Sequence, residues 1–158
     1  HAEAISEVFP RAKFIHLLRD GVDVVASWIK YAPYTDDLEG AAGKWRWSVR
    51  LARQFMEVYP DKVIEVRYED FVREPEATMR TVCEFLDHPF APNALNEDEP
   101  LETMDDVVGR EQHAEVLKSI TADNIGKGRR RLENDQKRKL NDLIGETLDA
   151  AGYDSIAV

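Results

Sequence analysis

Apolar and polar positions change period along the chain, and these changes predict where strands and helices lie. KFIHLL, residues 13–18, is a short apolar run bounded by turn signals, which is typical of a buried strand in a parallel sheet covered on both faces. From Val22 onward, apolar residues return at helical spacing and predict a helix over about residues 21–30. Arg19 and Asp20 therefore stand at the junction between a strand and a helix.

The rest of the chain repeats this arrangement of strand and helix. KVIEVRY, residues 62–68, is rich in β-branched residues and predicts a second strand. Residues 88–112 carry three prolines and an acidic run, and we expect them to be mostly loop. Helical patterns cover about residues 4–9, 38–59, 75–86 and 134–151. This order predicts one α/β domain over residues 1–158, with a parallel sheet flanked by helices.

The charge of the chain limits its partners. With 21 basic and 31 acidic residues among 158, the net charge is -10, which repels a nucleic-acid backbone or an anionic membrane. We therefore expect no nucleic-acid and no membrane partner, and any anion site must be local. No apolar run approaches the roughly 18 to 20 residues that cross a bilayer.

The cysteine and histidine residues give weaker indications. Cys83 is the single cysteine, so an internal disulfide is excluded and a reducing, cytoplasmic compartment is expected. His16, His88 and His113 do not have the spacing of a metal cluster, so we expect no metal.

The first candidate site is the junction at Arg19. Ligands bind at the carboxyl ends of parallel strands, where helix N-termini offer unpaired N–H groups. Asp20, Asp23 and Ser27 share the helix face opposite the valines, so the Ser27 hydroxyl can point the same way as Arg19. A guanidinium with a hydroxyl is a good receptor for phosphate. The alternative is that Arg19 pairs with Asp20 or Asp23 and that Ser27 is merely exposed.

The second candidate is IGKGRRRL, residues 125–132, where four cations fall within five positions of an acidic chain. Two glycines allow close approach of the backbone, and the cluster precedes a predicted helix start, where positive charge opposes the macrodipole. A bound anion would relieve both unfavourable features. The alternative is pairing with surplus carboxylates of the same chain.

The third candidate is Tyr68 in RYEDF, at the end of the second predicted strand. Its ring could stack on a base, or its hydroxyl could donate to a phosphate. The alternative is a tyrosine of the core.

Taken together, three stretches resemble the sulfotransferase family in motif, order and spacing. They are FPRAKFIHLLRDGVDVVAS, RYEDFVREPE with the following TVCEFL, and GKGRRRL ahead of a final helix ending in AAGY. The resemblance implies a P-loop-like fold and a donor, 3′-phosphoadenosine 5′-phosphosulfate (PAPS). It implies that Arg19 and Ser27 hold the 3′-phosphate, that Tyr68 lies near the nucleotide, and that Lys127, Gly128 and Arg129 belong to the segment that closes over the phosphates.

The resemblance also implies the reaction and a missing part. Family members transfer a sulfuryl group, here to a hydroxyl or amine of a small-molecule acceptor. They hold the 5′-phosphosulfate with an N-terminal strand, a Gly-rich loop carrying a catalytic lysine, and a helix, and no such segment occurs in this sequence. We therefore expect a partial domain without its first strand-loop-helix unit, nearly inactive alone. His1 is the candidate base, because many members have a histidine just after a Lys-Thr-Pro stretch.

Two other functions stay open from the sequence. The chain could be a non-catalytic nucleotide-binding relic of the family, or an α/β interaction protein whose basic loop binds an acidic partner. A sheet that lacks its first strand would also expose an edge, which favours a homo-oligomer.

Overall fold

The computed structural model describes residues 2–31, 37–95 and 122–157. The helices are α1 (Ala2–Val8), α2 (Gly21–Tyr31), α3 (Leu38–Val58), α4 (Tyr68–Arg73), α5 (Pro75–Phe85), α6 (Lys127–Arg131) and α7 (Asn134–Ala150), and the strands are β1 (Phe14–Leu18) and β2 (Val63–Arg67). Short 3₁₀ turns lie at Pro60–Lys62, Pro92–Leu95 and Ala122–Asn124. The predicted strands and the predicted long helices are confirmed, with small differences at their ends.

The two strands pair in parallel, as the sequence predicts. His16 lies opposite Glu65, and Leu18 lies opposite Arg67. Because both strands run the same way, their carboxyl ends meet at one edge of the sheet. Arg19 and Tyr68, which follow the two strands, are therefore neighbours.

The prediction that β1 is buried on both faces is wrong for the described residues. Leu18 is 1% exposed, whereas Ile15 is 48% and Leu17 is 56% exposed. Successive side chains of a strand point to opposite faces. One face packs on the helices, where Phe14 meets Phe55 edge to face with 5.1 Å between ring centroids. The other face, with Ile15 and Leu17, is left open by the described part of the chain.

The chain divides into two compact units, His1–Tyr68 with Asn124–Val158, and Glu69–Asp123. In the described part of the first unit, a core joins β1, α2, α3 and α7 through Leu18, Val22, Val25, Trp45, Val49, Leu140, Ile144 and Leu148. In the second unit, Val82 of α5 is buried, and the Arg80 guanidinium lies 4.5 Å from the centre of the Phe90 ring. The single domain over residues 1–158 stays a prediction.

The basic run lies just ahead of the final helix, as the sequence predicts, and it forms a short helix of its own, α6, which the sequence pattern did not indicate. Gly126 precedes α6 with a φ of 72°, a left-handed conformation that glycine adopts without strain. The N–H of Arg130 then donates to the carbonyl of Gly126, and that of Leu132 to Gly128, so the run closes into helical turns.

Candidate functional site

The turn between β1 and α2 is held by one aromatic and one acidic side chain. The indole N–H of Trp45 donates to the Arg19 carbonyl over 3.1 Å. A Cβ at Gly21 would lie 2.8 Å from atoms of the Trp45 ring, so only glycine allows this packing. Asp20 Oδ1 accepts the N–H of Val22 at 2.8 Å, which satisfies a free donor at the start of α2. These contacts fix the direction in which Arg19 leaves the sheet.

The Arg19 side chain is held on three sides within the first unit. Its Nη2 donates to the Asn124 carbonyl over 3.0 Å and lies 3.8 Å from Asp23 Oδ2. Its guanidinium carbon lies 4.3 Å from the centre of the Tyr68 ring, which is a cation–π distance. Tyr68 is therefore a half-buried support for Arg19 at the edge of the sheet.

Within the described part of the chain, one donor of the Arg19 guanidinium has no acceptor. Its Nε is buried and makes no hydrogen bond among the described residues, although the side chain as a whole is 26% exposed. A buried donor without a partner is costly, since it has lost its water without gaining another bond. An oxygen atom of a bound anion would satisfy it, so the residues present fit a phosphate group.

The segment before α6 contacts Arg19 through the carbonyl of Asn124. Lys127 Nζ donates to the side-chain oxygen of Asn124, whose carbonyl accepts from Arg19. Gly128 packs directly on α2, because a Cβ there would lie 2.4 Å from the carbonyl oxygen of Val22. Two cationic side chains, Arg19 and Lys127, thus share Asn124 as a common partner.

Both alternatives based on internal pairing are also partly realised. Arg19 lies within ion-pair distance of Asp23, and Arg129 Nε donates to Asp20 Oδ2 over 2.9 Å. The two Nη atoms of Arg129 donate to the carbonyls of Ser155 and Asp154, at 2.9 and 2.7 Å. Arg129 therefore ties the start of α2 to the C-terminal segment.

The other predicted site residues are not brought to Arg19 by described contacts. Ser27 is half-buried on α2, one helical turn beyond Asp23, and no hydrogen bond of the described residues joins it to Arg19. His1, the candidate base, lies outside the described residues.

Sequence reasoning missed two contacts of the candidate site. The Asn124 carbonyl gave no signal, because any residue type carries one. The sequence indicates Asp23 as a partner of Arg19, but its contacts with the N–H groups of Gly126 and Gly128 join positions more than 100 residues apart and follow only from the tertiary structure.

No group of three His, Cys, Asp or Glu side chains in residues 2–31, 37–95 and 122–157 is placed to hold a metal ion. None of the helices seen there combines the length and apolar character needed to cross a bilayer.

The chain has an α/β fold with cationic side chains at the carboxyl edge of two parallel strands, the place where α/β proteins commonly bind anionic ligands. The profile of the Sulfotransferase family matches residues 1–92. The chain therefore belongs to the sulfotransferase family, as its three motifs predict.

Similar proteins support this assignment. A protein-tyrosine sulfotransferase of Drosophila melanogaster is 29% identical over 97% of this chain, and protein-tyrosine sulfotransferase 1 of Danio rerio is 28% identical over 95%. The chain spans 32% and 44% of the lengths of these two relatives.

Solved structures confirm the predicted P-loop-like fold. The sulfotransferase domain of the Synechococcus PCC 7002 olefin synthase superposes with a TM-score of 0.71 at 25% identity, covering 90% of this chain and 50% of that one. The sulfotransferase domain from the curacin biosynthetic pathway has a TM-score of 0.69 at 18% identity, covering 96% and 57%. At that identity the second likeness concerns the fold alone.

Proposed function

We propose that this chain supplies the 3′-phosphate half of a PAPS site in an enzyme that transfers a sulfuryl group to an acceptor hydroxyl or amine. The observation that carries the proposal is the Arg19 guanidinium. It stands at the carboxyl end of β1, contacts Asn124 and Tyr68, and has a buried Nε–H that no acceptor of the described residues satisfies.

The local charge supports a phosphate at this point. The chain has a net charge of -10, yet Arg19 and Lys127 meet at Asn124. A phosphate oxygen bonded to Arg19 Nε would form a charge-assisted hydrogen bond, which is stronger than a neutral one. We propose that Ser27 and Tyr68 contact the same end of the nucleotide, and that Lys127, Gly128 and Arg129 form the segment that closes over it.

The bound donor would supply the sulfuryl group. The residues of the site would bind the donor and fix its position. Sulfuryl transfer requires alignment of the reacting groups and neutralisation of the charge that develops. No metal enters the proposal.

The proposal also concerns the acceptor that receives the sulfuryl group. The two relatives are named for transfer to protein tyrosine, which favours a tyrosine hydroxyl of a protein. A small-molecule hydroxyl or amine, which the sequence predicts, is the second candidate. Incubation of the whole protein with labelled donor, a tyrosine peptide and a panel of small alcohols, phenols and amines separates these two. The cytoplasmic location and the homo-oligomer stay predictions.

Calorimetric titration with adenosine 3′,5′-bisphosphate tests the site, with adenosine 5′-monophosphate as the ligand that lacks the 3′-phosphate. We expect tighter binding of the bisphosphate. A charge-assisted hydrogen bond contributes roughly 1.5 to 3 kcal/mol, so Arg19→Ala should weaken this binding about ten- to a hundredfold.

Arg138→Ala is the matched control, because it removes the same charge from an exposed position on α7. Equal affinity for the two nucleotides in the unmodified chain would contradict the proposed site. An unchanged affinity in Arg19→Ala would remove Arg19 from it. Tight binding of the bisphosphate by a whole protein that transfers no sulfuryl group would favour the non-catalytic relic.

A further inference from the structure

Asp23 lies between the two halves of the proposed phosphate site. Its side chain is 1% exposed. Oδ1 accepts the N–H of Gly128 at 2.6 Å, and Oδ2 accepts the N–H of Gly126 at 2.7 Å. The same Oδ2 lies 3.8 Å from Arg19 Nη2. One buried carboxylate therefore contacts both Arg19 and the segment that carries Lys127.

Only an acidic side chain can make this set of contacts. A carboxylate has acceptor sites on both oxygens, whereas an amide presents a donor in place of one of them. With asparagine at position 23, one glycine N–H would face another N–H group. Because the site is buried, water cannot easily replace the lost acceptor. The chemistry of Asp23 is thus matched to two N–H donors of the segment 126–128 and to the positive charge of Arg19.

We propose that Asp23 is a positioning residue, which holds the Arg19 guanidinium and the segment 126–128 in place so that the side chains of Arg19 and Lys127 face one phosphate. This inference rests on the proposed function. In this arrangement Asp23 does not touch the donor. It acts through Arg19 and through the glycine N–H groups, and it keeps the basic segment against α2 before any nucleotide binds.

Positioning and simple electrostatics make opposite predictions for Asp23→Asn. A negative charge near a phosphate opposes its binding, so removal of that charge alone would tighten binding. Loss of the carboxylate as an acceptor frees the segment and lets the guanidinium move, which weakens binding. Whether Asp23→Asn binds the phosphate ligand more weakly or more tightly therefore decides between the two roles.

The experiment is calorimetric titration of the chain and of Asp23→Asn with adenosine 3′,5′-bisphosphate and with adenosine 5′-monophosphate. We expect Asp23→Asn to bind the bisphosphate about ten- to a hundredfold more weakly, the range set by loss of a hydrogen bond to a charged group, with unchanged affinity for the monophosphate. A merely structural defect would weaken both ligands alike. Val25→Ala is the control, because Val25 is fully buried on the same helix within the apolar core.

Amide hydrogen exchange gives a second readout that needs no nucleotide. The N–H groups of Gly126 and Gly128 should be protected in the unmodified chain, and they should exchange about ten- to a hundredfold faster in Asp23→Asn. Val25→Ala is the control, because it shows how much faster these two amides exchange when only the stability of the fold is reduced. Should Asp23→Asn not fold, the protection of these two amides in the unmodified chain still tests the contact.

The outcomes separate the inference from the proposed function. Unchanged or tighter binding of the bisphosphate by Asp23→Asn, or unprotected glycine amides in the unmodified chain, would overturn the positioning role. Equal binding of the two nucleotides by the unmodified chain would instead contradict the proposed phosphate site. Hydrogen exchange would then decide by itself whether Asp23 holds the segment.

Discussion

The indole of Trp45 holds the backbone of Arg19, whereas Asp23 contacts its side chain. Its Nε1 lies 3.1 Å from the Arg19 carbonyl oxygen, and Trp45 is 4% exposed. The side chain of Arg19 is turned towards Asn124 and Tyr68, while its main chain is fixed to α3. The hydrogen bond of Trp45 is thus one of the contacts that attach the candidate anion site to the core.

Trp45→Phe should destabilise the chain and loosen the site. Phenylalanine keeps an aromatic ring near Gly21 but leaves the Arg19 carbonyl without its donor. We expect the free energy of unfolding to fall by about 1 to 3 kcal/mol, the cost of an unsatisfied buried polar group. Urea denaturation measures this change. Trp47→Phe is the control, since Trp47 is 65% exposed on the same helix, and equal losses in the two variants would refute the argument.

Gly128→Ala should be poorly tolerated. The added Cβ would lie 2.4 Å from the Val22 carbonyl oxygen and 2.8 Å from Asp23 Cα, and both are backbone atoms that cannot move aside freely. Overpacking of this kind costs about 1 to 3 kcal/mol of folding free energy.

Gly43→Ala offers a comparison within α3, because a Cβ there meets nothing within 4 Å. That substitution should raise the stability by roughly 0.5 to 1 kcal/mol, since alanine loses less conformational entropy in a helix. Thermal or denaturant unfolding of both variants tests whether Gly128→Ala lowers the free energy of unfolding and Gly43→Ala raises it. Gly128→Ala with unchanged stability would show that α6 does not pack on α2 as described.

Arg129→Ala should release the C-terminal segment. Arg129 donates to Asp20 and to the carbonyls of Asp154 and Ser155, and its side chain is about three-quarters buried. After allowance for solvent screening, we expect a loss of about 1 to 2 kcal/mol in stability.

Arg131→Ala removes the same charge from an exposed neighbour on α6 and should change stability little. The cleavage rate of the C-terminal residues by a carboxypeptidase provides a second measurement, and it should rise only in Arg129→Ala. Equal stability and equal cleavage rates in the two variants would contradict the contacts that Arg129 makes with Asp20 and the C-terminal segment.

The pair Lys139 and Glu39 predicts a local pH dependence. Lys139 Nζ lies 2.7 Å from Glu39 Oε1, and this hydrogen bond raises the pKa of Lys139 above the ordinary 10.5. A raised pKa in the folded state means that the pair stabilises the fold below pH 10.5 and that this contribution disappears as the pH rises through the folded pKa.

Titration of Lys139 by NMR should show the raised pKa, and Glu39→Gln should lower it. Added salt should lower it as well, because the side chains are exposed and the attraction is screened. A pKa of Lys139 that does not respond to Glu39→Gln would contradict the assignment of Glu39 as the cause.

The strands and helices of the fold could be predicted from the sequence, because their formation depends on local patterns of apolar and polar residues. Val22 and Val25 repeat at helical spacing, and the β-branched residues within 62–68 favour a strand. The burial of β1 could not be predicted in this way. KFIHLL reads as buried on both faces, yet the exposure of Ile15 and Leu17 depends on what else packs there.

The sequence by itself determined the α/β order of elements, the position of Arg19 at a strand end, and the family to which the chain belongs. Only the tertiary structure decided which groups meet Arg19. Asn124 and Tyr68 are distant from it along the chain, and parallel pairing of β1 with β2 and packing of α6 on α2 bring them together. The roles of Asp23 and Arg129 were likewise set by folding, because a hydrogen bond depends on distance and direction in space, and residue spacing gives these only within one element.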